Sequence, residues 1–256
     1  VIKNFSFPDD LRHPEGPRRI IETRLLIKES SGFTGYVYLW NDEQTDAELK
    51  IAGKTVPVSY IDKKGVPQDR EYVVPNVNQC ANCHSRNDSL RLLGPVTAQM
   101  NRNVERDGTT VNQLQWLSDQ QFFSKELPTI STLDRLESPF GTGSLEKRAR
   151  SYLHANCAHC HRSGGLAGST GLHFTYSETD TTALGFCKRP VAAGGGTGGL
   201  NFDIVPGDPD NSIVVFRMGS TDPGVKMPEL PNLLPDLDGI QLMRDWISSM
   251  TPQTCQ

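Results

Sequence analysis

The chain has few apolar residues and no long apolar run. Hydrophobic side chains are 36% of 256 residues and aromatics only 7%, and glycine brings the apolar share to the low edge of the globular range. A packed core is affordable at this length, and a disulfide-stapled mini-protein is excluded. The richest apolar stretches, such as Ile213 to Phe216, are strand-sized. That is far short of the roughly 18 residues that a membrane-spanning helix needs. An excess of positive charge is also missing, since 26 Lys and Arg face 30 Asp and Glu for a net charge of −4. Nothing in that balance provides the electrostatic footprint of a nucleic-acid binder. The Gly194 to Gly199 run lacks the Gly-Lys-Ser/Thr ending of a phosphate loop and reads as a flexible loop.

What the chain does have is six cysteines and six histidines, several of them gathered in two windows. The first reads Cys80-Ala81-Asn82-Cys83-His84 and the second Cys157-Ala158-His159-Cys160-His161. Both are C-x-x-C-H, the attachment signature of c-type haem. Two thiols at this spacing reach both vinyl groups on one edge of a porphyrin, and the adjacent imidazole is delivered to the iron. Chance supplies roughly 0.003 such matches at this composition. A zinc site fits poorly: 73 residues separate Cys83 from Cys157, well outside knuckle spacing, and each pair is followed by His. A thioredoxin-like pair would occur once and would not need that His. The expected cofactors are therefore two covalently bound haem c groups, tethered by Cys80, Cys83, Cys157 and Cys160, with His84 and His161 as proximal iron ligands.

Haem attachment of this kind takes place on the exported side of a membrane, so a periplasmic, secreted or cell-surface location is expected. The chain starts at Val1 without a charged and apolar leader, which implies a removed signal peptide or an excised piece of a longer protein. In an oxidising compartment Cys187 and Cys255 suit a disulfide; two free thiols are the alternative.

Residues 1–75 read as a β-rich subdomain, with strands at Thr23 to Lys28 and Gly35 to Trp40 and a hairpin of Glu48 to Ile51 with Thr55 to Tyr60. Its expected role is to shield a haem face or dock a partner. Helices are expected at 95–104 and 111–123. Ser144 is a candidate N-cap for a helix with Leu145, Ala149, Tyr152 and Leu153 on one stripe, running into Cys157. Asp238 is a candidate cap for a last amphipathic helix carrying Ile240, Met243, Ile247 and Met250.

A helix leading into the second motif, Met227-Pro228 lying 66 residues beyond His161, and a final helix resemble the class I cytochrome c pattern. That resemblance implies Met227 as the sixth ligand of the second iron; Met218, flanked as in a strand, is the alternative. A His/Met iron has a raised potential. Leu93-Gly94-Pro95 is similar to the turn whose carbonyl orients a proximal His in cytochromes c, here His84. For the first iron, His154 is the leading sixth ligand and Met100 its alternative; His159, His173, His13 or an open position also remain.

More widely, the chain resembles a family of exported dihaem cytochrome c domains. The matching stretches include Glu22 to Leu26, Trp40-Asn41, Gln79 to His84, Leu93-Gly94-Pro95 with Gln99-Met100-Asn101, Arg148 to His161, Gly207-Asp208-Pro209 and Met227-Pro228. The resemblance implies an α+β chain: the β-rich subdomain, then two mainly α-helical cytochrome c-like haem modules at 76–136 and 144–256. It further implies a dihaem cytochrome passing electrons between redox protein partners, not an enzyme. The alternatives are a dihaem peroxidase with an open site at the first haem, and a partner- or polymer-binding module with accessory haems.

Overall fold

The computed structural model describes residues 1–86, 89–191, 193–229 and 233–256. The N-terminal part is an antiparallel sheet of β1 (Ile2–Pro8), β2 (Arg18–Glu29), β3 (Gly32–Trp40) and β4 (Ala47–Leu49), in that spatial order. Beside it lies a hairpin of β5 (Lys54–Ile61) and β6 (Pro67–Val74). The strand expected at Gly35 to Trp40 lies within β3, with Val37 fully buried and paired to Arg24. The Glu48–Ile51 and Thr55–Tyr60 segments do not pair with each other: β4 pairs β3 and β5 pairs β6. Ile21, Val37, Val58, Tyr72 and Val74 form the core here. Glu22 is buried inside that core. It is held by Arg24 and by the Tyr72 hydroxyl, which donates to its Oε1 at 2.5 Å.

The chain then forms α1 (Cys80–His84), the two-residue strands β7 (Ser85–Arg86) and β8 (Ser89–Leu90), α2 (Thr97–Met100), a hairpin of β9 (Asn103–Arg106) with β10 (Thr109–Asn112), and α3 (Gln113–Asp119). A helix over 95–104 is thus replaced by a single turn and a strand, and 111–123 is helical only over α3. The reason is Asp107-Gly108, both at positive φ, a pair that favours a two-residue hairpin turn.

The C-terminal part carries α4 (Leu145–Asn156), α5 (Ile213–Gly219) and α6 (Leu237–Ser248). Ala149, Tyr152, Leu153, Leu242, Met243, Trp246 and Ile247 pack into its core. The Cys187–Cys255 disulfide is formed. Ser144 precedes α4 without a side-chain capping bond. Asp236, not Asp238, caps α6 by accepting from the Gly239 N–H. The Phe216-to-Met218 flank is helical, not strand-like. The glycine run makes a 3₁₀ turn at Gly194–Thr197, with Gly196 buried against Arg217 and the exposed Gly198 lying close to the Phe216 ring.

The main correction concerns fold class. Among the described residues the α-helices are six and short, the longest 12 residues, and the sheets are antiparallel. The 76–136 and 144–256 segments are not mainly helical modules. Much of their backbone is turn and loop organised around the two cysteine motifs.

Candidate haem-attachment sites

α4 fixes the second motif. Its apolar stripe anchors it in the core, and Cys157 and Ala158 close its last turn on the Leu153 carbonyl. Cys160 and His161 donate their N–H groups back to the Cys157 carbonyl at 3.1 and 2.9 Å, so both thiols and the imidazole stay on one tight turn. They face a cavity of about 800 Å³, within the size range of cofactor sites. Leu172, Phe174 and Ile204 line it from the C-terminal part, and Phe5, Phe7, Ile21 and Tyr72 from the β-rich part.

The structure brings Met227 to this cavity, and Met218 as well. The Met227 N–H donates to the Arg217 carbonyl at 3.0 Å. Arg217, with its Nε donating to the Val225 carbonyl, also lines the cavity, where the carboxylates of Glu229 and Asp203 act on its charge. Burial pushes the His161 pKa down to about 4, helped by the charges of Arg217, His159 and His173. Its ring is therefore neutral at pH 7 with a lone pair free, and its buried Nδ1 has no hydrogen-bond partner among the described residues. Burial alone pushes the Cys157 thiol up to about 12.

The first motif forms α1 against β3. Cys80 lies so close to Gly35 that a Cβ there would sit 2.9 Å from its Sγ. His84 Nδ1 lies 3.0 Å from the Arg91 carbonyl. A carbonyl only accepts, so Nδ1 carries a proton and Nε2 is the nitrogen left for a metal, the arrangement usual for a metal-binding imidazole. The orienting carbonyl is thus that of Arg91, not one of the Leu93-Gly94-Pro95 turn.

The two motifs touch. Cys83, His159 and Cys160 place their ligand atoms within 4.8 Å of one another. The Cys160 thiol has both the Asn82 carbonyl, at 3.7 Å, and the Cys83 sulfur within reach of its one S–H. Its contact with Cys83, with His159 beside it, draws the Cys83 pKa down and raises that of Cys160. His154, the leading sixth ligand for the first iron, points its Nδ1 at the Tyr176 N–H, accepting at 3.1 Å, and does not line the cavity. Met100 ends α2 away from the cavity, and His173 lies 3.7 Å from Glu178. His13 is exposed near the N-terminus.

Sequence reading missed Arg217 and the contribution of Phe5, Phe7 and Tyr72. The aromatics carry no chemical motif, and one arginine on the two-turn helix α5 gives no periodic signal. Comparison with protein-family models, curated proteins and solved structures returns no match to this chain. No helix among the described residues is long and apolar enough to cross a membrane.

Proposed function

We propose that this chain is a dihaem c-type cytochrome that passes electrons between protein partners outside the cytoplasm. The observation that carries the reading is the second motif: two thiols and a neutral, buried imidazole open onto one cavity that a methionine thioether also lines. Haem c supplies a one-electron iron couple, which the protein tunes through ligands and dielectric. Cys157 and Cys160 would tether it, His161 and Met227 would ligate it, and Arg217 offers a cation to its carboxylates. Phe5, Phe7 and Tyr72 from the β-rich part give the cavity an aromatic wall. At the first motif, Cys80 and Cys83 would tether the second group and His84 Nε2 would ligate it.

The thiol and imidazole cluster of Cys83, His159 and Cys160 supports one competing reading, a bound thiophilic metal. One experiment separates them. Acid-acetone extraction followed by intact mass should leave the polypeptide with an excess of two haems. A haem-free mass, with zinc found by metal analysis of the untreated protein, would favour the metal, and a single-haem excess would refute the two-site claim.

A further inference from the structure

Side chains alternate between the two faces of a strand, so the sheet of β1 to β4 has an inner and an outer side. The inner side carries Phe5, Glu22, Val37 and Leu39, which build the β core and part of the cavity wall. The outer side carries Tyr36, Tyr38 and Trp40 at alternate positions of β3. The register sets Leu25 and Ile2 beside Tyr36, and Thr23 and Asn4 beside Tyr38, with Leu49 on the other flank of Tyr38. None of these outer side chains is buried and none belongs to either core. The rise of a strand puts successive rings about 7 Å apart, so the row runs about 13 Å from Tyr36 to Trp40.

The polar groups along the row are uncharged. Trp40 Nε1 donates to Thr23 Oγ1 at 2.8 Å, and the Thr23 hydroxyl donates to Asn4 Oδ1 at 2.7 Å. The charged groups of this face stand at its ends, where Glu29 accepts from the Tyr36 and Thr34 hydroxyls at 2.8 and 2.9 Å and Arg18 donates to the Pro14 carbonyl.

We propose that this outer face binds a neutral polysaccharide, with sugar rings stacked on Tyr36, Tyr38 and Trp40 and sugar hydroxyls bonded to the Asn4 amide and the Tyr38 phenol. A charged polymer would need fixed charge of the opposite sign, and the row presents none. Tyr and Trp join an apolar ring to a polar tip, and a pyranose matches them, with C–H groups on its faces and hydroxyls round its rim. A dry protein interface would strand the phenol and the amide without partners, at a cost; sugar hydroxyls bond both. The row is straight and as long as a short oligosaccharide, which suits a chain of sugars more than a single one. The proposal does not rest on the dihaem reading, because the cavity lies behind the other side of the sheet.

The test is depletion of the full chain from solution by microcrystalline cellulose, insoluble mannan and starch granules. At least one should retain the protein, and raised salt should leave retention unchanged. Tyr38→Ala and Trp40→Ala should each weaken it by about tenfold, the loss of one ring contact, with the urea midpoint showing that each variant folds. Hydroxyl-radical footprinting of the unmodified protein on the retaining polymer needs no variant: Tyr36, Tyr38 and Trp40 should be protected, and Trp116, stacked on Phe122 elsewhere, should not. Passage through all three polymers would overturn the proposal, as would retention that leaves Trp40 unprotected. A dimer in sedimentation that Trp40→Ala dissolves, without polymer binding, would also overturn it and assign the face to a second copy. The haem content of the chain bears on none of these outcomes.

Discussion

A histidine that binds a metal must present one ring nitrogen to it, and the two proximal candidates are held for that by different means. His84 is fixed by tautomer, through the Arg91 carbonyl; His161 is fixed by burial, which holds it neutral. Met227 can be tested directly. Met227→Ala should abolish the weak near-infrared thioether-to-iron band of the oxidised protein and lower one of two potentials. Because axial ligation spreads haem potentials over about 0.8 V, the shift should be plain on an electrode; two unmoved potentials would assign the ligand elsewhere. Gly35 is a matter of space. An added methyl group at 2.9 Å from the Cys80 sulfur must push α1 off β3, an overpacking that costs about 1–3 kcal/mol. Gly35→Ala should therefore raise the one-haem species in the intact mass at the expense of the two-haem species. An unchanged ratio would mean that α1 moves freely there.

At the scale of elements, legibility followed how much of each pattern was local. β3 announces itself by alternation and α4 by a stripe, because in both the buried face repeats along the segment. The two C-x-x-C-H motifs were wholly visible in the sequence, since each lies within five residues. Pairing was not: β4 and β5 are adjacent in sequence, yet each finds a different partner, a choice made by packing. The turn at Asp107-Gly108 was a readable signal for a hairpin that helix periodicity obscured. α5 looked like a strand because Ile213 to Phe216 are β-branched or aromatic, residues with weak helix propensity that burial overrides. The α4–α6 contact yields a prediction with an unusual sign. Replacing Gly239 within a helix normally gains about 1 kcal/mol in propensity, but a Cβ here meets the Tyr152 ring and hydroxyl oxygen well inside contact distance. Gly239→Ala should lower the urea midpoint with an unchanged slope. A raised midpoint would mean that the helices separate without cost.

At the scale of the whole molecule, the lean apolar composition is distributed over two small cores and one shared cavity. Leu233, from the C-terminal part, packs on the β core. Phe5, Phe7, Ile21 and Tyr72, from the β-rich part, line the cavity that holds His161. The disulfide closes a 68-residue separation, a loop long enough for about 4 kcal/mol by chain entropy. These links argue against a β module that folds independently of the C-terminal part. If the cavity's occupant supports both parts, the haem-loaded chain should melt in a single calorimetric transition. Cys157→Ala/Cys160→Ala should move that whole transition down, by about 2–4 °C for each kcal/mol lost at this size. Two resolved transitions, with the β-rich one unmoved in the variant, would show instead that the shared wall is mere contact, and that residues 1–75 serve a partner and not the iron.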